Sequence, residues 1–273
     1  MQRDANRIKS APLVPSLPMA KAKLIRALLR DRKTRQQTQT FVLEAEKPIW
    51  EMLAARSAAL QAVVIAESRL RNGMLPSSMD PDKVPVFSCR DSIFDKLCDV
   101  RTPAGLLAVV RQPKWDQNTV FARPRLVGLY GEGLQDPANV GAIIRTAVGF
   151  GVDALWLSPD SADVLNPKVV RATAGTVLKL PVFRVAAPEV FLRKDCVLLA
   201  AVPQGRQSRP IHELDALPAR AILAFGNESH GLSPATLQQA AVRFHIPVDP
   251  AIQSLNVAAS VAIAAFHFTK AKG

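Results

Sequence analysis

Three segments in the second half of the sequence combine glycine with polar side chains at spacings suited to ligand binding. The first is DPANVGAIIRTA, residues 136–147, where Asn139 can cap a helix and Gly141 lets another backbone approach closely. Arg145 lies four residues after Gly141, so both face one side of that helix, and its guanidinium can hold a phosphate or a sugar oxygen. When this segment is considered alone, an ordinary capped helix with a surface arginine explains it better than a ligand-binding site does.

The second segment is FGNESHGLS, residues 225–233. Gly226 ends a predicted strand, Glu228 places a carboxylate just beyond it, and Gly231 permits a sharp turn. The adjacent serine and histidine suggest a hydrolase, but neighbouring residues rarely point at one another and the G-x-S-x-G nucleophile motif is missing from the sequence. The segment therefore predicts a polar turn at a strand end.

The third segment is IPVDPAIQSLNVAASVAIA, residues 246–264. Ser254 is a suitable cap for the helix that follows, and nearly all residues of that helix are apolar and small. A helix that is apolar on most faces must be buried, either in the core or against another subunit.

Other kinds of site find little support in the sequence. No G-x-G-x-x-G follows a predicted strand and no G-x-x-x-x-G-K-[ST] occurs, which disfavours a nucleotide-dependent oxidoreductase or a P-loop enzyme. The cysteines, Cys89, Cys98 and Cys196, lack metal-ligand spacing, and the four histidines are scattered. We therefore expect reduced, partly buried thiols and no metal site.

Two runs of alternating elements precede and surround these segments. In the first run we predict helices at 21–37, 46–57 and 91–98 and strands at 41–45, 62–66, 84–88 and 106–111. In the second run we predict strands at 125–131, 154–158, 180–185, 196–202, 221–226 and 244–248, with helices near 139–150, 167–173, 234–242 and 255–270. Short apolar strands separated by helices indicate an α/β fold with a parallel sheet, whose ligands bind at the carboxyl ends of the strands.

The same pattern predicts the domain organisation. We expect a flexible lead, a small α/β domain, a linker and a larger α/β domain, at residues 1–18, 19–112, 113–124 and 125–273.

The net charge of +12 is concentrated in the first part of the chain, where residues 1–124 carry 21 Lys and Arg against 12 Asp and Glu. This excess is explained equally well by a polyanionic partner such as RNA and by a solvated charged face. No apolar run is long enough to span a membrane, and the first residues lack the apolar core of a signal peptide. We expect a cytoplasmic protein with no membrane partner.

Together and in this order, the three segments resemble the SpoU (TrmH-like) family of the SPOUT methyltransferases. The resemblance covers residues 125–273 and includes NPKVVRATAG, residues 166–175. Residues 20–112 resemble, less closely, the small αβα substrate-binding module that often precedes the family's catalytic domain. The resemblance implies a parallel sheet with a deep trefoil knot, S-adenosylmethionine as cofactor, and methyl transfer to a ribose 2′-hydroxyl of RNA.

The resemblance also assigns roles to individual residues. The implied cofactor-binding positions are Val202, Gly226, Ile246 and Leu255. The implied catalytic positions are Asn139, Arg145, Glu228, Ser254 and Asn256. Two residues of the cofactor loop depart from the family pattern, Val248 in place of Met and Pro250 in place of Gly, and either can alter cofactor binding.

The expected mechanism is an in-line displacement in which Arg145 holds the neighbouring phosphate and stabilises oxyanion charge. We do not expect Arg145 to act as the general base, because its guanidinium is too weak an acid to give up its own proton. The family resemblance further implies a homodimer formed through the second domain. The expected RNA-binding residues are Arg30, Arg32, Lys33, Arg35 and Arg171. As substrate, ribosomal RNA is favoured over transfer RNA. Two alternatives remain open at this point: methylation of a base instead of the ribose, and, as the main alternative, a non-catalytic RNA-binding protein that retains the fold.

Overall fold

In a computed structural model, the described residues form two compact units. The first unit falls within residues 1–34 and 40–111, and the second within residues 35–39 and 112–273. The residues that the structure describes are 14–72, 84–98, 100, 102–205 and 207–269. None of the helices in these ranges is long and apolar enough to cross a membrane.

The first unit contains a four-stranded mixed sheet covered by helices. Its elements are α1 (Met19–Arg30), α2 (Arg32–Thr38, which crosses the unit boundary), β1 (Thr40–Leu43), α3 (Glu46–Ala54), β2 (Leu60–Ala66), α4 (Glu67–Arg71), β3 (Val86–Cys89), α5 (Asp91–Leu97) and β4 (Leu106–Arg111). The strand order is β1-β4-β2-β3, and only β2 and β3 are parallel among these neighbours. Helices α1 and α5 pack their apolar residues on one face of this sheet.

Two features of this unit differ from the sequence prediction. The helix predicted at 21–37 is broken at Asp31, whose carboxylate accepts hydrogen bonds from the backbone N–H groups of Lys33 and Thr34. Aspartate competes in this way with helix continuation and caps a new helix instead. The predicted flexible lead falls mostly on residues 1–13, outside the described residues, but residues 14–17 pair with β3, where Leu17 N donates to Ser88 O at 2.8 Å.

The second unit contains a seven-stranded sheet in which every pair of neighbours is parallel, as the sequence predicts. Its elements are α6 (Gln117–Phe121), β5 (Leu126–Gly131), α7 (Pro137–Gly149), β6 (Ala154–Leu157), α8 (Pro167–Ala172), β7 (Val182–Arg184), α9 (Glu189–Leu192), β8 (Val197–Ala201), β9 (Arg209–Pro210), β10 (Arg220–Phe225), α10 (Pro234–Gln239), β11 (Val242–His245) and α11 (Val257–Thr269). Single 3₁₀ turns lie at Thr176–Leu178 and Ile211–Glu213.

The strand order of this sheet is β7-β6-β5-β10-β8-β11-β9. Both β10 and β11 therefore lie between strands that precede them in the sequence. Because all neighbours are parallel, the loops after β8, β10 and β11 leave the sheet at one edge. One sheet face is covered by α7 and α11 and the other by α6, α9 and α10.

The predicted linker at 113–124 is partly an ordered element of the second unit. Asp116 caps α6 by accepting a hydrogen bond from Asn118 N at 2.9 Å. Val120 and Phe121 are buried, and the Phe121 ring stacks on Trp156 with 5.1 Å between ring centroids. A helix of five residues is too short to show periodicity in the sequence, which is why the sequence predicts a linker here.

Candidate active site

A cleft of about 640 Å³ lies at the carboxyl ends of β8, β10 and β11. It is lined by residues 201–204 at the end of β8, residues 225–231 at the end of β10, and residues drawn from 245–260 at and beyond the end of β11. This volume falls within the range of roughly 300–1,000 Å³ typical of small-molecule sites. The second and third polar segments of the sequence thus meet in one cavity.

Residues 226–231 fold into a tight turn, called here the glycine turn, that forms one wall of the cleft. Asn227 and Gly231 exchange backbone hydrogen bonds, and Gly231 has a φ of +70°. A Cβ on Gly226 would lie 2.1 Å from the carbonyl carbon of Gly231. Glycine at 226 therefore allows two backbone strands to touch, and the predicted sharp turn at 231 is confirmed.

Asn139 joins two of the other predicted catalytic residues in a chain of hydrogen bonds. Its Nδ2 donates to Glu228 Oε1 at 2.7 Å, and its Oδ1 accepts from Asn256 Nδ2 at 2.9 Å. Asn139 is buried, whereas Glu228 and Asn256 are exposed and line the cleft. One residue from each polar segment is thus joined in this chain beside the cleft, although more than a hundred positions separate Asn139 from Asn256.

Two capping predictions were wrong, and the physical reason is the same in both. Asp136 rather than Asn139 caps α7, since its Oδ1 accepts from Ala138 N at 2.9 Å. Asn256 rather than Ser254 precedes α11 as its cap, accepting from Ala258 N at 2.8 Å. Several residues near each helix start are suitable caps by type, and only the backbone path decides which one is used. Asn139 is thereby free to point from within α7 toward Glu228.

The predicted cofactor-binding residues all line the cleft, namely Val202, Gly226, Ile246 and Leu255. Ser254 also lines it and is exposed. Of the two departures from the family pattern, Val248 lines the cleft, whereas Pro250 is exposed and is not among the lining residues that the structure describes. Pro250 therefore does not block the cavity.

Arg145 is not brought to the cleft within one chain. Its side chain is exposed on α7, and it is not among the cleft-lining residues in the described part of the chain. It lies six positions after Asn139, which corresponds to about 9 Å along a helix axis. Gly141, on the same helix, permits close contact with α8, since a Cβ there would lie 2.4 Å from Ala172 Cβ.

The predicted RNA-binding residues divide into exposed and buried ones. Arg30, Arg32 and Lys33 are exposed around the break between α1 and α2, and Arg171 on α8 is partly exposed. Arg35 is different, because its side chain is only 5% exposed and its Nη2 lies 2.7 Å from Asp163 Oδ2. The predicted contact of Arg35 with RNA does not fit this placement, since its guanidinium is already used by a carboxylate inside the second unit.

Sequence reasoning missed two residues that shape the cleft. Asn227 accepts hydrogen bonds from the backbone of Ser229 and His230 and holds the glycine turn in shape. His245 ends β11, is only 7% exposed, and lines the cleft with its Nδ1 2.8 Å from Ser208 Oγ. Asn227 could have been recognised as a turn-forming residue directly after a glycine, whereas a single histidine in an apolar strand carries no such signal.

Comparisons with known proteins agree with this geometry. The model of the SpoU rRNA Methylase family matches residues 127–266, and that of the MRM3-like substrate binding domain matches residues 20–108. An uncharacterized tRNA/rRNA methyltransferase of Synechocystis sp. is 31% identical over 240 residues, 86% of this chain and 85% of the relative. The 23S rRNA (guanosine(2553)-2'-O)-methyltransferase of Bacillus subtilis is 28% identical over 243 residues, 88% of this chain and 92% of the relative.

Solved structures share the fold. A TrmH-family protein from Porphyromonas gingivalis is 30% identical, with a TM-score of 0.74 over 92% of this chain and 98% of the other. An AdoMet-bound rRNA methyltransferase from Sinorhizobium meliloti is 23% identical, with a TM-score of 0.78 over 93% and 95% of the two chains. The parallel sheet with a cleft at its carboxyl edge is thus the architecture of a class of RNA methyltransferases. The chain belongs to the SpoU rRNA methylase family, so the predicted resemblance is confirmed.

Proposed function

We propose that this protein transfers a methyl group from S-adenosylmethionine to a ribose 2′-hydroxyl of structured RNA, with ribosomal RNA as the favoured substrate. The observation that carries the proposal is the hydrogen-bonded chain from Glu228 through Asn139 to Asn256 at a cleft framed by backbone. Support for ribosomal RNA comes from the Bacillus subtilis relative and from a Streptomyces viridochromogenes relative named as a 23S rRNA (uridine(2479)-2'-O)-methyltransferase, 32% identical over 162 residues.

The residues of the cleft fit the cofactor. The close backbone approach at Gly226 leaves main-chain groups beside the cavity, and Val202, Ile246 and Leu255 supply apolar walls. A nucleoside needs this combination of backbone hydrogen-bonding groups and apolar surface. When bound, S-adenosylmethionine supplies a methyl group on a sulfonium centre, which is open to displacement by an oxygen nucleophile.

The polar residues then orient the ribose. Asn139 is fixed at both ends of its amide, so Glu228 and Asn256 have set positions before any RNA arrives. Groups that are held in place in advance cost no reorganisation during the reaction. Ser254 lies beside them with an exposed hydroxyl that can hydrogen-bond the reacting sugar.

Arg145 completes the site from a second copy of the chain. The residue is exposed on α7 and lies away from the cleft of its own chain. Helix α11 carries two exposed apolar side chains, Ile263 at 38% and Phe266 at 47%, and the Phe266 ring lies 6.0 Å from that of Phe150, just after α7. A homodimer that covers this apolar surface would agree with the predicted pairing through the second domain. In it, Arg145 grips the phosphate next to the target ribose.

The remaining parts of the proposal concern the whole chain. The first unit holds RNA through Arg30, Arg32 and Lys33, with Arg171 contributing from the second unit by phosphate contact. The carboxyl-terminal part of the sheet is threaded as a trefoil knot, for which the late insertion of β10 and β11 gives support. We further propose that the protein works in the cytoplasm, which is the location expected from its sequence.

The test is methyl transfer to ribosomal and transfer RNA, with the 2′-O-methylated nucleoside identified by mass spectrometry. Arg145→Ala should lower the rate about 100-fold or more while the Kd for S-adenosylmethionine stays within about threefold. Arg193→Ala is the matched control, because Arg193 is also an exposed arginine of the second unit outside the cleft lining. Full activity of the Arg145 variant would remove Arg145 from the mechanism.

The alternative, a non-catalytic RNA-binding protein, draws support from Val248, which replaces the family methionine within the cleft lining. Calorimetric titration of the wild-type chain with S-adenosylmethionine separates the two, since an adapter has no need to bind it. Absence of binding would overturn the enzyme proposal.

A further inference from the structure

Glu132 lies just after β5 and is not among the residues described as lining the cleft, yet its carboxylate is hydrogen-bonded to the segment that follows the glycine turn. Oε2 accepts from Ser233 N at 2.9 Å. Oε1 accepts from Ser233 Oγ at 2.8 Å and from Thr236 Oγ1 at 3.0 Å. Thr236 is completely buried. Three donors on one carboxylate make a strong, directional attachment.

The location of these donors makes the attachment favourable. Ser233 is the cap of α10 and Thr236 belongs to its first turn. The start of a helix carries partial positive charge from unpaired N–H groups, which a carboxylate stabilises. The hydrogen bonds of Glu132 therefore fix the point at which the chain leaves the glycine turn and enters α10.

The residue next to Glu132 holds the other end of the same turn. Asn227 Nδ2 donates to Gly133 O at 2.7 Å, and the backbone N–H of Glu132 donates to Phe225 O at 2.9 Å. Both ends of the glycine turn are thus attached to a single dipeptide outside the cleft. The part between these ends carries Glu228 toward Asn139 and lines the cavity.

The geometry points to Glu132 as a positioning residue for the cofactor cleft: its carboxylate holds the end of the glycine turn and thereby sets the Gly226 backbone and Glu228. This inference rests on the proposed function. Glutamine at 132 keeps the shape but replaces one acceptor oxygen by an NH₂ group, which faces a donor at Ser233. The turn then loses an attachment on the side opposite the cavity.

The experiment uses Glu132→Gln in the full chain. We expect the Kd for S-adenosylmethionine to rise about tenfold, as for loss of one charge-assisted hydrogen bond, and amide hydrogen exchange to increase in residues 226–233. The matched control is Asp153→Asn, because Asp153 also accepts from a backbone N–H, that of Val127 at 2.8 Å, but lies just before β6 at the opposite sheet edge. The control should lower Tm and leave the Kd unchanged.

A Glu132→Gln variant with wild-type Kd and wild-type exchange in residues 226–233 would overturn the inference. If that variant does not fold, Thr236→Val decides, since it removes one donor and keeps the carboxylate; a Kd about threefold higher supports the inference, and an unchanged Kd refutes it. If the wild-type chain binds no S-adenosylmethionine, the proposed function fails, and hydrogen exchange alone still tests the attachment.

Discussion

The carboxyl edge of the seven-stranded sheet has a closed half and an open half. After β5 and β6, side chains satisfy the loop backbone: Gly133 N donates to Ser158 Oγ at 2.7 Å and Leu134 N to Ser161 Oγ at 3.1 Å. Ser158 and Ser161 are 4% and 3% exposed. After β8, β10 and β11, the loops instead leave an open cleft, which is lined by glycine together with polar and apolar residues. Strand ends alone therefore do not make a site, and the open half exists where no large side chain fills the space between the loops.

The strongest test of this comparison is Gly226→Ala in the open half. The new Cβ would meet the Gly231 backbone at 2.1 Å, and backbone cannot move aside as a flexible side chain can. We expect loss of measurable S-adenosylmethionine binding and a free energy of unfolding lower by about 3 kcal/mol. Calorimetric titration and chemical denaturation measure the two effects.

The control is Gly149→Ala at the end of α7, where a Cβ meets nothing within 4 Å. It should stabilise the protein by about 0.5–1 kcal/mol through helix propensity. If Gly226→Ala bound S-adenosylmethionine and resisted unfolding as well as Gly149→Ala does, the open half would tolerate a side chain in the glycine turn.

The next largest effect is expected for Asn139→Ala. This change removes the amide that links Glu228 to Asn256 and leaves both without that partner. We expect kcat to fall about 100-fold while the Kd for S-adenosylmethionine stays within about threefold. Single-turnover methylation with parallel titration measures both, and a parallel loss of binding and rate would instead assign Asn139 to cofactor binding.

Ser158→Ala probes the closed half. The variant loses the hydroxyl that accepts from Gly133 N and leaves that buried donor unsatisfied. We expect the free energy of unfolding to fall by about 1–3 kcal/mol with no change in the Kd for S-adenosylmethionine. A raised Kd at unchanged stability would mean that the two halves are coupled through residue 133.

The smallest effect is expected for Pro250→Gly, which restores the family residue. Pro250 is exposed and outside the described cleft lining, so the Kd should change less than about threefold, chiefly through greater freedom of the loop. Val248→Met, which changes a lining residue, is the comparison variant and should have the larger effect of the two. A larger change in Kd for Pro250→Gly than for Val248→Met would place Pro250 in the cofactor site.

Much of this architecture could be predicted from the sequence, because short apolar strands and glycine-rich turns carry local signals. The parallel sheet and the turn at Gly231 follow from such signals, whereas the convergence of Glu228 and Asn256 on one cleft was implied by the family resemblance. The buried pairing of Arg35 with Asp163 could not be predicted, since it joins residues 128 positions apart. The same holds for Glu132, whose partners at 233 and 236 are set by how β10 returns beside β5.

Local patterns also failed to predict which residue caps a helix where several residues of a suitable type lie near its start. Asp136 and Asn139 are both suitable caps, and only the observed backbone shows that the aspartate is used and the asparagine turns toward Glu228. The two-residue strand β9 and the five-residue helix α6 are too short for periodicity to reveal.

The late insertion of β10 and β11 has a consequence for how the protein is made. During synthesis β5 and β8 emerge well before the strand that separates them, so the middle of the sheet stays unfinished until residue 225 has been added. Contacts between distant parts of a chain slow folding. The cleft is consequently among the last features to take shape on the ribosome, and a nascent chain halted before β11 has no such cleft.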